Sequence, residues 1–195
     1  MNSRFAFATI ALLAMAGTAC VNVKKGSNGD NVDVKTPFGS VSVRTDEVKP
    51  EQTGLNVYPG AILIPKGEGH DDNKANVNIS SPWGQLKVVA LSYRTDDSPE
   101  KVLAWYRRDL QQKYGKLLEC KGGGISLHER EHDNNDLSCE SDHANKNVDF
   151  SSDSNTVELK TGSNDKQHIV AVKPEGDGSK ISLVYVQKHG EKDSI

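Results

Sequence analysis

Ala75-Asn76-Val77-Asn78-Ile79-Ser80, the turn Ser81-Pro82-Trp83-Gly84, the run Gln85-Leu86-Lys87-Val88-Val89-Ala90-Leu91-Ser92-Tyr93-Arg94-Thr95, and then Ser98 through Gly115 form the stretch that decides the fold. The first two apolar runs read as strands joined across the Pro-Trp-Gly turn. Ser98 to Tyr114 reads as an amphipathic helix. Ser98 is a good N-cap, Pro99 suits the first helical position where its missing N–H costs nothing, and Glu100 lies in the positively polarised first turn. Val102, Leu103, Tyr106, Leu110 and Tyr114 share one stripe at about 100° per residue, with Trp105 at its flank. Gly115 tolerates a left-handed conformation and ends the helix. The run Leu86 to Tyr93 is too apolar to be solvated on both faces, so part of it should lie under the helix. An aromatic stripe of this kind is core material before it is a ligand groove, because each such side chain contributes roughly 1.5–3 kcal/mol on burial. Nothing in the stretch is catalytic in character.

Downstream, Lys116 to Lys121 reads as a strand running into Gly122-Gly123-Gly124, and a polar segment continues to Cys139. Further strand signals are Val148-Asp149-Phe150, Val157-Glu158-Leu159-Lys160, His168 to Lys173 and Lys180 to Gln187, the last two joined across Pro174-Glu175-Gly176-Asp177-Gly178. Strands, one principal helix and more strands predict an α+β domain: a mainly antiparallel sheet with the helix packed on one face. The tail from His189 to Ile195 carries no structural signal and is expected to be disordered.

At the other end, Arg4 precedes an apolar run from Phe5 to Ala16 that gives way to small residues before Cys20. This is the layout of a secretory signal peptide over residues 1–19, too short for an ordinary membrane span. Ala16-Gly17-Thr18-Ala19-Cys20 resembles a bacterial lipobox, whose cysteine is acylated and becomes the new N-terminus. Lipoboxes usually carry Leu three residues before the cysteine, where this chain has Gly17, so ordinary cleavage after Ala16 or Ala19 is the alternative. Acylation would add about 0.8 kcal/mol per buried CH₂, and two or more chains anchor stably where one does not.

Three cysteines are present. With Cys20 assigned to the anchor, Cys120 and Cys139 are left to pair as a disulfide closing the polar loop, worth about 3 kcal/mol in an oxidising compartment. No Cys-x-x-Cys motif argues for a reactive thiol. Without residues 1–19, which hold Arg4 and no acidic residue, Lys+Arg falls from 24 to 23 against 27 Asp+Glu, a net charge of −4. That balance excludes nucleic-acid binding by charge. The 35% apolar content supports one small domain plus tails.

Val21 to Asn31 is rich in Gly, Asn and Lys and reads as a tether. A weak internal repeat comes next. Asn31-Val32-Asp33-Val34-Lys35-Thr36-Pro37-Phe38-Gly39 parallels Asn76-Val77-Asn78-Ile79-Ser80-Ser81-Pro82-Trp83-Gly84, and each leads into a second strand. A lone hairpin is marginal in water, so the first copy, over 31–44, either docks on the main sheet or stays mobile in a linker spanning 20–54. The globular domain is expected over 55–188, opening at Val57-Tyr58-Pro59-Gly60-Ala61. That opening, the strand pair and the helix Ser-Pro-Glu-Lys-Val-Leu-Ala-Trp-Tyr-Arg-Arg-Asp-Leu together resemble a set of uncharacterised bacterial lipoproteins and secreted domains, over roughly Leu55 to Leu118. The set has no assigned activity, so the resemblance implies no functional residues.

One motif has the form of chemistry. His128-Glu129-Arg130-Glu131-His132 matches the His-Glu-x-x-His pattern, in which a helix puts two zinc ligands on one face and the Glu acts as general base, and His143 is a candidate third ligand. Its context argues against it: three glycines precede it, Asp133-Asn134-Asn135-Asp136 comes directly after, and no long apolar stripe would bury the helix. His70 beside Asp71-Asp72 is another conceivable metal contact, in a setting where a lone His is usually solvated. Two expectations result. The favoured one is a non-enzymatic cell-envelope lipoprotein, attached to a membrane through acylated Cys20 and binding an envelope protein or a glycan, with a secreted or periplasmic protein as the fallback. The alternative is a zinc-dependent hydrolase using His128, Glu129 and His132.

Overall fold

The computed structural model describes residues 20–26, 29–45, 48–65, 74–122, 137, 139 and 155–190. Among these residues ten strands form one sheet: β1 (Cys20–Gly26), β2 (Gly29–Thr36), β3 (Gly39–Arg44), β4 (Ile62–Leu63), β5 (Lys74–Ser81), β6 (Gly84–Thr95), β7 (Leu118–Lys121), β8 (Val157–Ser163), β9 (Lys166–Glu175) and β10 (Gly178–Gly190). Among the described residues the single α-helix, α1, spans Pro99–Tyr114, and a 3₁₀ turn spans Pro50–Thr53. Strand order is β1-β2-β3-β5-β6-β10-β9-β8-β7, with β4 pairing the far end of β6, and every pair is antiparallel. The sheet dominates this mainly antiparallel α+β fold. β1–β2, β2–β3, β5–β6, β8–β9 and β9–β10 are hairpins, and α1 carries the chain from central β6 toward the far edge at β7.

α1 lies against β8, β9 and β10. Its stripe behaves as the periodicity requires: Val102, Leu103, Tyr106 and Leu110 are buried, and Trp105 and Tyr114 pack at the margin. Beneath them lie Val89, Leu91 and Tyr93 of β6, Val170 and Val172 of β9, and Ile181 and Leu183 of β10. Alternate residues of the same strands point the other way. There Ile169, Val184 and Val186 form a second cluster with Leu86, Val88 and Ala90.

The Tyr58-Pro59-Gly60 segment fastens onto the helix. Tyr58 N–H donates to the Tyr106 hydroxyl (3.1 Å), which donates to the Asn56 carbonyl (3.2 Å), while the Tyr58 ring meets Trp105 edge-on at 5.4 Å. Tyr58 in turn donates to Asp97 at 2.7 Å, just ahead of the helix. Burial pushes the Tyr106 phenol well above its ordinary pKa, which keeps it a neutral donor.

Several local expectations change. Ser98 is the N-cap by position, its carbonyl accepting from Val102 N–H, yet its side chain makes no capping bond. Its hydroxyl instead joins the Glu100 backbone N–H in hydrogen bonding the Glu100 carboxylate, which holds that carboxyl below its ordinary pKa. The turn between β9 and β10 shortens to Gly176-Asp177, because Pro174 and Glu175 stay paired with Ser179 and Gly178. Strand β10 continues through His189 and Gly190, opposite Gln85 and Gly84, where a disordered tail was expected.

The largest difference lies at the N-terminal side. Residues read as a tether form β1 and the start of β2, paired from Cys20↔Lys35 to Gly26↔Gly29. The expected boundary at Leu55 also falls inside packed structure, since Val48 and Thr53 are buried and Val48 belongs to the main core. The hairpin over 31–44 docks: β3 pairs β5 from Ser40↔Ser80 to Arg44↔Asn76. Residues 1–19, Val148-Asp149-Phe150 and 191–195 lie outside the described residues.

Candidate functional site

The two copies of the repeat are built alike at their turns. In the first, Thr36 Oγ1 accepts from Phe38 N–H (3.2 Å) and donates to the Gly39 carbonyl (3.1 Å). In the second, Ser81 Oγ accepts from Trp83 N–H (3.3 Å) and donates to the Gly84 carbonyl (3.1 Å). A hydroxyl at the last strand residue thus closes each turn over proline, which fixes its own φ. The residue after the proline is held out from the sheet. Phe38 is 72% exposed and Trp83 71%.

Register brings these tips to one end of the molecule. Cys20, Lys35, Ser40, Ser80, Gln85 and His189 form one transverse row across β1, β2, β3, β5, β6 and β10. Both turns lie just beyond that row. The adjacent row is apolar, Val34-Val41-Ile79-Leu86, and ends at Lys188. Val34, Phe38, Val41 and Ile79 line a shallow open groove of about 220 Å³ beside the first tip. Val41 and Ile79 are themselves 36% and 37% exposed, so apolar surface runs from the tip onto the sheet face. Cys20 is exposed, stands outside any disulfide, and is the first residue of β1.

A second concentration of side chains surrounds His168 on β9. Its ring stacks on Tyr114 of α1 (4.7 Å) and lies 5.0 Å from Tyr185 of β10, and its Nδ1 is 2.7 Å from the Thr53 carbonyl. A carbonyl only accepts, so Nδ1 carries the proton in the neutral ring. Gly54, at φ 68°, makes room: a Cβ there would come within 2.7 Å of His168 Cε1. Tyr114 and Lys113 also donate to the Gly54 carbonyl, at 2.5 and 2.7 Å. Burial, with the Lys113 charge adding to it, lowers the His168 pKa. With the His168 Nδ1–H committed to the Thr53 carbonyl, and the Tyr114 hydroxyl and Lys113 amine both donating to the Gly54 carbonyl, this cluster clasps the 3₁₀ turn to the sheet.

Cys120 and Cys139 form the expected disulfide, with Cα atoms 5.5 Å apart. It starts from β7, which Arg107 of α1 grips through Glu119 at 2.8 and 2.9 Å. The metal hypothesis cannot be placed: His70, His128, Glu129, His132 and His143 all lie outside the described residues. Among the described residues, no group of three or more His, Cys, Asp or Glu side chains could hold a metal ion, and no helix is long and apolar enough to cross a membrane.

From the sequence, Phe38 and Trp83 read as turn residues only. Their exposure was signalled all the same, because an aromatic in a two-residue turn has no sheet face on which to be buried. His168 carried no such signal, since its partners Tyr114, Tyr185 and Thr53 are 54, 17 and 115 residues away in the chain. Comparison with protein-family models, with curated proteins and with solved structures finds no match for this chain.

Proposed function

We propose that this protein is a cell-envelope lipoprotein, held at a membrane surface through acylated Cys20, whose disulfide-closed α+β module binds or scaffolds without catalysis. One observation carries the reading: the apolar run Phe5–Ala16 and the small residues after it lead to a cysteine that is exposed and opens the first strand. A diacylated residue at that position needs no tether to reach lipid, and two chains hold where one does not. The Cys120–Cys139 bridge fits the same reading, since such a bond persists in an oxidising compartment. A Cys20→Ala variant is expected to leave the membrane fraction and appear in the soluble envelope fraction. Unchanged membrane association would overturn the anchor.

Zinc-dependent hydrolysis by Glu129 with His128, His132 and His143 is the second reading, favoured only by the His-Glu-x-x-His match. Elemental analysis separates the two. About one zinc per chain, lost in a His128→Ala/His132→Ala variant, would establish a metal centre; a metal-free chain leaves the anchored module.

A further inference from the structure

Folding does not account for Phe38 and Trp83. Each turn is closed by a Thr or Ser hydroxyl and a proline, and the aromatic between them contributes only its backbone N–H. Turn positions of this kind are usually filled by Asn, Asp, Ser or Gly, which leave no apolar surface in water. Here two large aromatics occupy equivalent positions, both more than two-thirds exposed. Phe38 is continuous with the exposed apolar row of Val41 and Ile79, with which it lines one groove.

Their placement identifies what covers them. The row Cys20-Lys35-Ser40-Ser80-Gln85 puts the first residue of β1 level with the strand ends that lead into both tips. With strands about 4.8 Å apart, the Phe38 tip stands about 7 Å from Cys20 and the Trp83 tip about 17 Å, along one end of the sheet. Exposed Lys35 and His189 occupy the same row, and Lys188 ends the apolar one. Trp, with its apolar body and N–H, suits the headgroup level of a bilayer, and lysines beside it suit anionic lipid.

We infer that the Phe38 and Trp83 hairpin tips form a second, non-covalent membrane contact, entering the lipid interface beside Cys20 and holding the sheet upright with its strands steep to the bilayer. This rests on the anchored reading for the direction from which lipid approaches, but its test does not need natural acylation. Cys20 is the one cysteine outside the disulfide. Unacylated, disulfide-intact chain starting at residue 20 retains every described residue, and its thiol can be coupled to a maleimide-bearing phospholipid in vesicles of phosphatidylethanolamine and phosphatidylglycerol. A Trp105→Phe background leaves Trp83 as the sole indole.

On tethering, Trp83 emission is expected to move to shorter wavelength, to lose accessibility to iodide, and to be quenched by lipids brominated in the upper acyl chain. Phe38→Ser should lessen all three changes, and a Trp83→Phe chain that keeps Trp105 should show none. Trp83 that stays as iodide-accessible on the vesicle as in buffer would overturn the contact. Protection of Trp83 before any vesicle is added, growing with protein concentration, would assign the tips to a second copy of the chain and overturn it equally. Whether Cys20 is acylated in the native protein is read separately, from the mass of its N-terminal peptide, so the two failures are distinguishable.

Discussion

His168 is held between Tyr114 and Tyr185 with its Nδ1–H on the Thr53 carbonyl, and partial burial together with nearby Lys113 keeps its pKa below the usual 6.5. The unfolded chain therefore takes up this proton at a higher pH than the folded one does. The stability contributed by the neutral ring is complete above about pH 6.5 and is lost as pH falls from there through the folded value. Urea midpoints of the wild-type chain should drop between pH 7.5 and pH 5 by more than those of a His168→Gln variant; equal drops would place the acid sensitivity elsewhere. A different electrostatic device sits on β8, where Lys160 Nζ lies 3.1 Å from Glu158 Oε2 with both side chains at most 7% exposed. The two residues are i, i+2 and share the face opposite Leu159. Lys160→Met would strand a buried carboxylate, and a loss of about 3–5 kcal/mol is expected, read by urea denaturation. Replacing both, as Glu158→Leu/Lys160→Met, should restore most of it, since a buried pair is worth little more than an apolar one of the same size.

Gly39 shows how two hairpins become one sheet. Its φ is 150°, and a Cβ on it would strike the Ser80 carbonyl on β5, so β3 and β5 close up only because this position is bare. Gly39→Ala should cost about 1–3 kcal/mol and should act locally. Hydrogen exchange is expected to speed up in β2 and β3 while the amides of β9 and β10 stay protected; uniform loss of protection would mean that the N-terminal hairpin is not a separable layer. The same pair of hairpins marks the limit of what sequence discloses. Helix α1 was legible because its determinants are local: Pro99 and Glu100 at one end, Gly115 at the other, and a stripe of five apolar positions between. Both Pro-aromatic-Gly turns were legible for the same reason. Docking of the first copy was not, because it depends on the approach of Gly39 to Ser80, 41 residues away. Strand β1 was hidden too, since Lys24-Lys25-Gly26 has the composition of a tether and becomes a strand only by pairing with β2. The disulfide followed from counting cysteines once Cys20 had another role, while the His-rich motif lies outside the residues on which geometry can judge it.

For the whole molecule, the sheet has two ends with different characters. One carries the β9–β10 turn at Gly176-Asp177 and the start of α1, a polar end where Ser179 donates to the Asp97 carbonyl and Lys101 pairs with Asp97 at 2.7 Å. The other gathers Cys20, Phe38 and Trp83 with the exposed edge of an apolar row. An extended sheet standing on the second end would hold the polar end and the α1 face away from the bilayer, available to a protein or glycan of the envelope. This arrangement stands or falls with the chemistry of residue 20. The most direct measurement is the mass of the N-terminal peptide of the mature protein, isolated from native envelopes. The expected peptide begins at Cys20 and carries a thioether-linked diacylglycerol, with or without a third acyl chain on the new amino group. A peptide that begins at Gly17, or at Cys20 with a free thiol and no lipid, would contradict the anchor and the orientation built on it.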